Sequence, residues 1–285
     1  MIESMTGYGK VVVQLPSKKI SIEIKSLNSK NLDINARMPS NYREKELYIR
    51  KKIAQNLIRG KVDFGMYIEA TGIDDSIKIN HELVKKYIAE LDSISPNSSD
   101  NLLAIAMQLP EAVSTVKEEI DESEWQHIEK AIDQAINHLV TYRREEGAVL
   151  QTDFENRITT IENLMTKVAS FDSERKKELR LKLRKALDEL QQKTDENRFE
   201  QELIYYLEKL DITEEQVRLK NHLNYYKQML HTSDSNGKKL GFITQELGRE
   251  INTIGSKANY APMQKIVVQM KDELEKIKEQ TLNIL

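Results

Sequence analysis

Val62-Asp-Phe-Gly-Met-Tyr-Ile-Glu-Ala70 carries the clearest structural signal in the sequence, because apolar side chains occupy every second position from Val62 to Ala70. Such alternation is typical of a β-strand with one buried face. Residues 11–15, 20–24 and 32–36 are also apolar or alternating, so we predict a small sheet in the first 70 residues. We expect Gly7-Tyr-Gly-Lys10 to form a bend that leads into the first strand. A basic helix should pack on the sheet, since residues recur at helical spacing before the last strand: Tyr42, Glu46, Ile49, Ile53 and Leu57.

The remainder of the chain is predicted to be largely helical. No proline occurs between Pro110 and Pro262, and a proline inside a helix costs about 3 kcal/mol. A 4-3-4-3 spacing, typical of a long antiparallel helix pair, connects Phe154, Ile158, Ile161, Met165 and Val168. Similar stripes occupy residues 179–190, 219–230 and 263–284. We expect the last of these to expose large apolar side chains in a monomer, which predicts a stable homo-oligomer.

These patterns together predict an α+β fold. An N-terminal mixed α/β lobe should be followed by an extended, mostly α-helical body with coiled-coil-like long helices. We assign residues 1–100 to the basic N-terminal lobe and residues 101–285 to the helical body, with a distinct C-terminal helical motif over approximately residues 200–285. Polar, turn-rich stretches predict a loop at 94–101 and a helix break at 231–237.

Composition excludes several classes of function. The chain has 285 residues and no cysteine, which removes disulfides, thiolate nucleophiles, iron–sulfur clusters and thiolate zinc sites. No run of about 18 apolar residues is present, and the first residues lack the charged-then-apolar order of a signal peptide. We therefore expect a soluble, cytoplasmic protein with no membrane partner.

The charge distribution points to a polyanionic partner despite a net charge of −3. Residues 1–70 have 13 Lys and Arg against 7 Asp and Glu, whereas residues 71–139 have 5 against 14. The basic excess is densest in residues 37–61, and local phosphate neutralisation is what nucleic-acid binding requires. The alternative is a solvated helix face, which is the commoner meaning of a charge run. Tyr42 and Tyr48 could stack on bases, and the candidate RNA-binding residues of this stretch are Arg43, Arg50, Lys51, Arg59 and Lys61.

One candidate site follows from residues 211–222. Glu214, Arg218 and His222 are spaced four residues apart, so they share one helix face. A guanidinium can bind a phosphate, an imidazole can transfer a proton near neutral pH, and a carboxylate can orient both. From spacing alone, an ordinary ion pair beside an incidental histidine is the simpler interpretation.

A second candidate site follows from residues 240–257. Glu246 and Glu250 are four residues apart, on a helix side that we expect to lie opposite the buried stripe. Their like charges would repel unless a cation lies between them, and carboxylate oxygens suit Mg²⁺ or Mn²⁺. Arg249 and Lys257 lie beside this pair and could bind phosphate. Surface acids that form only salt bridges are the alternative.

The sequence also resembles the bacterial YicC/YloC family along nearly its whole length. The matching motifs, in order, are Met1-Ile-Glu-Ser-Met-Thr-Gly-Tyr-Gly9, Glu23-Ile-Lys-Ser-Leu-Asn28, Arg59-Gly-Lys-Val62, Asn197-Arg-Phe-Glu-Gln-Glu202, Asp211-Ile-Thr-Glu-Glu215 with Arg218 and His222, Gly237-Lys-Lys-Leu240 through Lys257, and Lys276-Ile-Lys-Glu-Gln280. Two positions depart from the family pattern: Gly241, where the family more often has Asp, and Gly248, where it often has Asn.

The resemblance implies a cytoplasmic, divalent-metal-dependent endoribonuclease that cuts single-stranded or hairpin RNA and assembles into a homo-hexamer. It favours a functional role for the 211–222 row over an incidental one. On the matching positions, we predict His222, Arg218, Glu214 and Arg249 as catalytic residues, Glu246 and Glu250 as metal ligands, and Lys257 as a further RNA contact. Cleavage could proceed by hydrolysis or by transesterification, in RNA turnover and with other RNA-decay proteins as partners.

Two other functions compete with this hypothesis. A non-catalytic RNA-binding adaptor could present small RNAs to another nuclease. A structural oligomer could use both polar rows as interface salt bridges. The concentration of basic charge in one lobe favours RNA contact over a pure scaffold, but the sequence separates nuclease from adaptor poorly.

Overall fold

The computed structural model describes residues 2–71, 77–94, 101–115, 121–189, 196–232 and 237–285. Within them, strands β1 to β6 span Gly7–Gln14, Lys18–Leu27, Leu32–Arg37, Gly60–Ala70, Ile77–Ile79 and Val113–Thr115. Helices α1 to α9 span Glu46–Asn56, His81–Ile94, Leu102–Gln108, Glu122–Ser170, Asp172–Glu189, Glu196–Lys209, Thr213–Leu230, Gly237–Lys257 and Ala261–Thr281. The predicted α+β class is confirmed.

The first four strands form one sheet in the order β1-β2-β4-β3. β3 and β4 are parallel, with Leu32 opposite Gly60 and Arg37 opposite Gly65. Parallel neighbours need a crossover connection, and this one contains α1. Alternate residues of β2 and β4 are buried, as are Ile49 and Ile53 of α1. The predicted sheet and its helix are therefore confirmed.

The chain divides into two compact units. The N-terminal unit consists of residues 8–26 and 31–139, so it holds most of the sheet, α1 to α3 and the first part of α4. The C-terminal unit consists of residues 1–7, 27–30 and 140–285, which include the rest of α4 and all later helices.

The Gly7–Gly9 segment is strand rather than the predicted bend, because β1 begins at Gly7. Gly9 lies against α4 so closely that a Cβ atom at this position would overlap the backbone carbonyl of Ala135. Gly9 therefore permits a close contact between β1 and α4 within the N-terminal unit.

We expect Gly9→Ala to lower the melting temperature by about 2–10 °C, because overpacking against backbone costs roughly 1–3 kcal/mol. Gly241→Ala is the matched control, since a Cβ there meets no atom within 4 Å. In the interior of α8 alanine should leave stability unchanged or raise it by about 0.5–1 kcal/mol. Calorimetry that gives both variants the same melting temperature would contradict the close contact at Gly9.

Three helices bury their apolar stripes against one another in the C-terminal unit. α8 packs on both α7 and α9, and the core includes Leu219 and Leu223 of α7 and Leu247 and Ile251 of α8. The predicted stripe of α4 is buried in the same core. The predicted exposure of the 263–284 stripe is wrong, because its residues are at most 8% exposed within this one chain. The stripe serves the chain's own core, so it gives no argument for an oligomer.

The opening residues belong to the C-terminal unit and pair with the end of the chain. Ser4 forms a β-bridge with Ile284, and the Met5 amide donates to the Asn283 carbonyl at 2.8 Å. Arg143 of α4, only 2% exposed, donates to the Met5 carbonyl at 3.1 Å. The first motif of the sequence therefore stabilises the contact between α4 and the C-terminal residues.

Parts of the predicted turns, residues 95–100 and 233–236, lie outside the described residues, as does Leu190 of the predicted 179–190 stripe. Within the described ranges, no helix has both the length and the apolar composition needed to cross a membrane.

Candidate active site

The first candidate row lies along α7 and is accessible to solvent. Glu214 and Arg218 are exposed and form the ion pair that their spacing predicts. His222, one turn further along, is half-buried, and no described residue forms a hydrogen bond or ion pair with its side chain. Leu219 and Leu223 face the core beside the row. The row therefore combines a pre-oriented guanidinium with an imidazole whose nitrogens are not engaged by described residues.

The second candidate row lies on α8, and its two carboxylates have different surroundings. Glu246 forms an ion pair with Arg249, with 2.8 Å between Arg249 Nη1 and Glu246 Oε1, and the Arg249 side chain is 73% exposed. Glu250 is only 8% exposed. No described residue donates a hydrogen bond to its carboxylate or forms an ion pair with it. The expectation that Glu250 lies opposite the buried stripe is wrong, because positions 247, 250, 251 and 254 share one helix face.

A buried ion pair joins the start of α7 to the end of α8. Lys257 Nζ donates to Glu215 Oε1 at 2.7 Å, and Glu215 is 4% exposed. Lys257 was predicted from the sequence as an RNA contact, whereas Glu215 was given no role there. The signal was present, since Glu215 is four residues before Leu219 and continues the buried stripe of α7. A carboxylate at a stripe position predicts a buried acid that needs a partner.

Two contacts fix the register of α7 against α8. Glu215 near the start of α7 contacts Lys257 at the end of α8, and further along the Tyr226 hydroxyl lies beside Thr244. The two helices are therefore antiparallel. His222 and Glu250 are each seven residues from the Glu215–Lys257 pair, about 10 Å along their helices. The register places them at the same level of the helix pair.

The carboxylates of α8 suit a partly hydrated divalent cation rather than a fully enclosed one. Among the described residues, no group of three or more His, Asp or Glu side chains is arranged to hold a metal. Mg²⁺ commonly keeps several waters and is bound by one or two carboxylates together with substrate phosphates. Glu250, a poorly hydrated carboxylate with no cationic partner among the described residues, fits that role, and Glu246 lies one turn away.

The two predicted departures from the family pattern, Gly241 and Gly248, are not imposed by packing at the Cβ position. A Cβ at Gly241 would meet no atom within 4 Å, and one at Gly248 would contact only Leu274 Cδ2 at 3.4 Å. For a Cβ atom, packing therefore does not require glycine at either position.

The predicted RNA-binding residues other than Lys257 lie in the N-terminal unit and fall into two groups. Arg43, Lys51 and Lys61 are exposed and form no ion pair with a described residue. Arg50 instead donates to Glu46 at 2.8 Å and to the Ile34 carbonyl. Arg59 is half-buried, and this burial lowers the pKa of its guanidinium. The first group is therefore the one available to phosphates.

Part of the basic stretch contacts the acidic start of α4 within the N-terminal unit. Lys52 Nζ lies 3.0 Å from Glu129 and 2.9 Å from Asp133. Hydrogen bonds from Tyr48 and Lys52 lower the pKa of Glu129. Tyr42 is 3% exposed and donates to Glu124, so the expectation that it stacks on bases is wrong. Tyr48 remains 45% exposed.

Comparison with known proteins identifies the family. Residues 2–152 match the model described as "Endoribonuclease YicC-like, N-terminal region", and residues 168–285 match "Endoribonuclease YicC-like, C-terminal". The chain belongs to the YicC-like family. The predicted resemblance is confirmed, and the second match contains both candidate rows.

Two YicC-like relatives align with the chain over their full lengths. A protein of Clostridioides difficile (strain 630), named "Probable endoribonuclease YicC", is 33% identical over 293 residues, with complete coverage of both chains. A protein of Haemophilus influenzae with the same name is 29% identical over 287 residues, again with complete coverage.

Proposed function

We propose that this YicC-like protein is a divalent-metal-dependent endoribonuclease whose active site is formed by α7 and α8. The observation that carries the proposal is the register of the two helices, which brings His222 level with Glu250. The names of the two full-length relatives support the endonuclease class. The substrate is single-stranded or hairpin RNA, cut in RNA turnover in the cytoplasm.

The polar groups of α7 bind the phosphate and transfer a proton. Arg218, oriented by its ion pair with Glu214, binds the scissile phosphate through its fork of N–H donors. His222 accepts a proton from the attacking oxygen or donates one to the leaving oxygen. Both hydrolysis and attack by the RNA 2′-hydroxyl are compatible with these roles.

The polar groups of α8 would neutralise the negative charge of the RNA phosphate, through basic side chains and a bound cation. Arg249 balances Glu246 and can contact a non-bridging phosphate oxygen. Glu246 and Glu250 would hold Mn²⁺ or Mg²⁺, which supplies Lewis-acid stabilisation of developing negative charge. Lys257, held by Glu215, adds a positive charge at the end of α8 and can contact the phosphate backbone.

RNA also contacts the exposed basic residues of the N-terminal unit. Changing Arg43, Lys51 and Lys61 together to Gln should weaken RNA binding about tenfold and reduce the salt dependence of log K by about 2, because fewer counterions are released. Filter binding at several salt concentrations measures both quantities. The control replaces three exposed lysines of α9, Lys265, Lys271 and Lys278, with Gln. Equal RNA affinities for the two triple variants would show that Arg43, Lys51 and Lys61 do not contact RNA.

A homo-hexamer is the assembly that the family resemblance implies, and we retain it as part of the proposal. Light scattering should then give a mass several times the 33.1 kDa of one chain. A compact monomer at micromolar concentration would contradict it. Contacts with other RNA-decay proteins are a further expectation of the same proposal.

The RNA-binding adaptor is the remaining alternative, and metal-dependent cleavage separates it from a nuclease. Highly purified protein should cut a labelled hairpin RNA with Mn²⁺ and leave it intact with EDTA. RNA that is bound but never cut, with any divalent metal, would favour the adaptor.

A further inference from the structure

An open surface cleft lies in the C-terminal unit, lined by residues other than Glu214, Arg218 and His222. One face of α5, the end of α6 and the turn between α8 and α9 line it. Nothing in the proposed mechanism uses this cleft apart from Lys257 at its edge.

The lining of the cleft combines an apolar surface with a basic edge. Leu179, Leu207 and Leu210 contribute aliphatic surface, and the half-buried ring of Tyr260 contributes an aromatic one. The charged lining residues are four cations and one carboxylate, namely Arg175, Lys176, Lys182 and Lys257 against Glu178. Flat apolar surface beside positive charge is complementary to a nucleobase and its phosphate.

The edge lysines can bind an anion without losing their present partners. Lys176 Nζ lies 2.6 Å from Asp172, and Lys182 Nζ lies 2.9 Å from Glu178. An ammonium group has three donors, so one carboxylate contact leaves others for a phosphate. The Lys176 and Lys182 side chains are 44% and 65% exposed, which leaves both ammonium groups accessible.

Arg175 gives the cleft a fixed shape. Its side chain is 7% exposed and forms an ion pair with Asp172 at 2.6 Å. The same guanidinium donates to the carbonyl of Leu210 after α6 at 2.8 Å and to the carbonyl of Lys257 at the end of α8 at 3.3 Å. One buried side chain therefore joins three walls, so the cleft is preformed and binding need not order it.

We infer that this cleft binds one nucleotide of the RNA substrate, with the base against Tyr260 and the leucines and the phosphate at Lys176, Lys182 and Lys257. The inference rests on the proposed RNA function and deepens it. Lys257 lies at the edge of the cleft and also pairs with Glu215 of α7, so a strand held here would lead towards the proposed active site.

Photo-crosslinking of the full chain to a thiouridine-substituted hairpin RNA, in EDTA so that the RNA stays intact, tests the inference. Crosslinks should map to residues 176–182 or 257–260. Tyr260→Ala should weaken RNA binding about fivefold or more, the scale of losing one base–aromatic stack. Tyr142→Ala removes a 46%-exposed tyrosine of α4 and is the matched control. Lys182→Glu is the second variant, because a side chain this exposed can be changed without unfolding the protein.

The outcomes distinguish this inference from the proposed function. Crosslinks in the two segments that Lys182→Glu abolishes support the cleft. If wild-type protein cuts RNA with Mn²⁺ but crosslinks elsewhere, and both variants bind normally, the cleft inference is overturned while the proposed function stands. If RNA binds at the cleft but is never cut, the binding inference stands and the nuclease proposal fails. Absence of any RNA binding by wild-type protein overturns both.

Discussion

His222→Ala should bind RNA with unchanged affinity and cut it at least about 100-fold more slowly, which is the usual scale for losing a general acid or base. The imidazole is half-buried one turn beyond Arg218, and the described residues leave its nitrogens unengaged. Single-turnover cleavage of a labelled hairpin RNA, with enzyme in excess, isolates the chemical step from binding and product release.

His231→Ala is the matched control, because His231 follows the last residue of the same helix and its side chain is 63% exposed. The control should cleave at the wild-type rate. If His222→Ala cuts RNA at a rate within a few-fold of wild type, His222 does not transfer a proton in the reaction and its role is structural.

Glu246→Gln combined with Glu250→Gln should abolish metal-dependent cleavage while RNA binding stays the same or improves, since two negative charges are removed. Glutamine keeps the shape of each side chain but is a much weaker ligand for a hard cation. Glu250 is 8% exposed and has no cationic partner among the described residues, so neutralising it should not lower the melting temperature. Cleavage rate, RNA affinity and melting temperature are measured on one preparation.

Glu275→Gln with Glu279→Gln is the matched control, because these exposed acids of α9 are also four residues apart. It should leave cleavage unchanged. If the Glu246/Glu250 variant melts at a lower temperature yet cleaves fully, the pair is structural and the metal proposal is wrong.

Periodicity predicted most of the fold because it reports burial directly. The alternation in β4 and the 4-3-4-3 stripe of α4 both correspond to buried faces. Periodicity does not say which surface covers an apolar stripe. The 263–284 stripe predicted an interface between chains, whereas it packs inside one chain, and only the three-helix packing could distinguish these. The bend predicted at Gly7 was wrong for a related reason. Glycine is typical of both turns and close contacts between a strand and a helix, and the sequence alone does not distinguish them.

The candidate site was partly predictable. Helical spacing gave the Glu214–Arg218 ion pair. The Glu246–Arg249 ion pair was not predicted as such, since salt bridges of the α8 acids were only a general alternative to metal binding. The buried acids Glu215 and Glu250 were placed incorrectly or missed, because charged residues were assumed to face solvent even at stripe positions. His222 and Glu250 lie at the same height along the helix pair because of the register of α7 against α8. The sequence pattern of one helix does not predict its register against another.

The most direct test of the account is the cleavage rate measured across the gel-filtration profile of the purified protein, with Mn²⁺ and a labelled hairpin RNA. The account predicts that cleavage follows the protein absorbance fraction by fraction, disappears in EDTA, and is missing from the matching fractions of the Glu246→Gln, Glu250→Gln variant. Cleavage that elutes apart from the protein, or that persists unchanged in the variant's fractions, would contradict it.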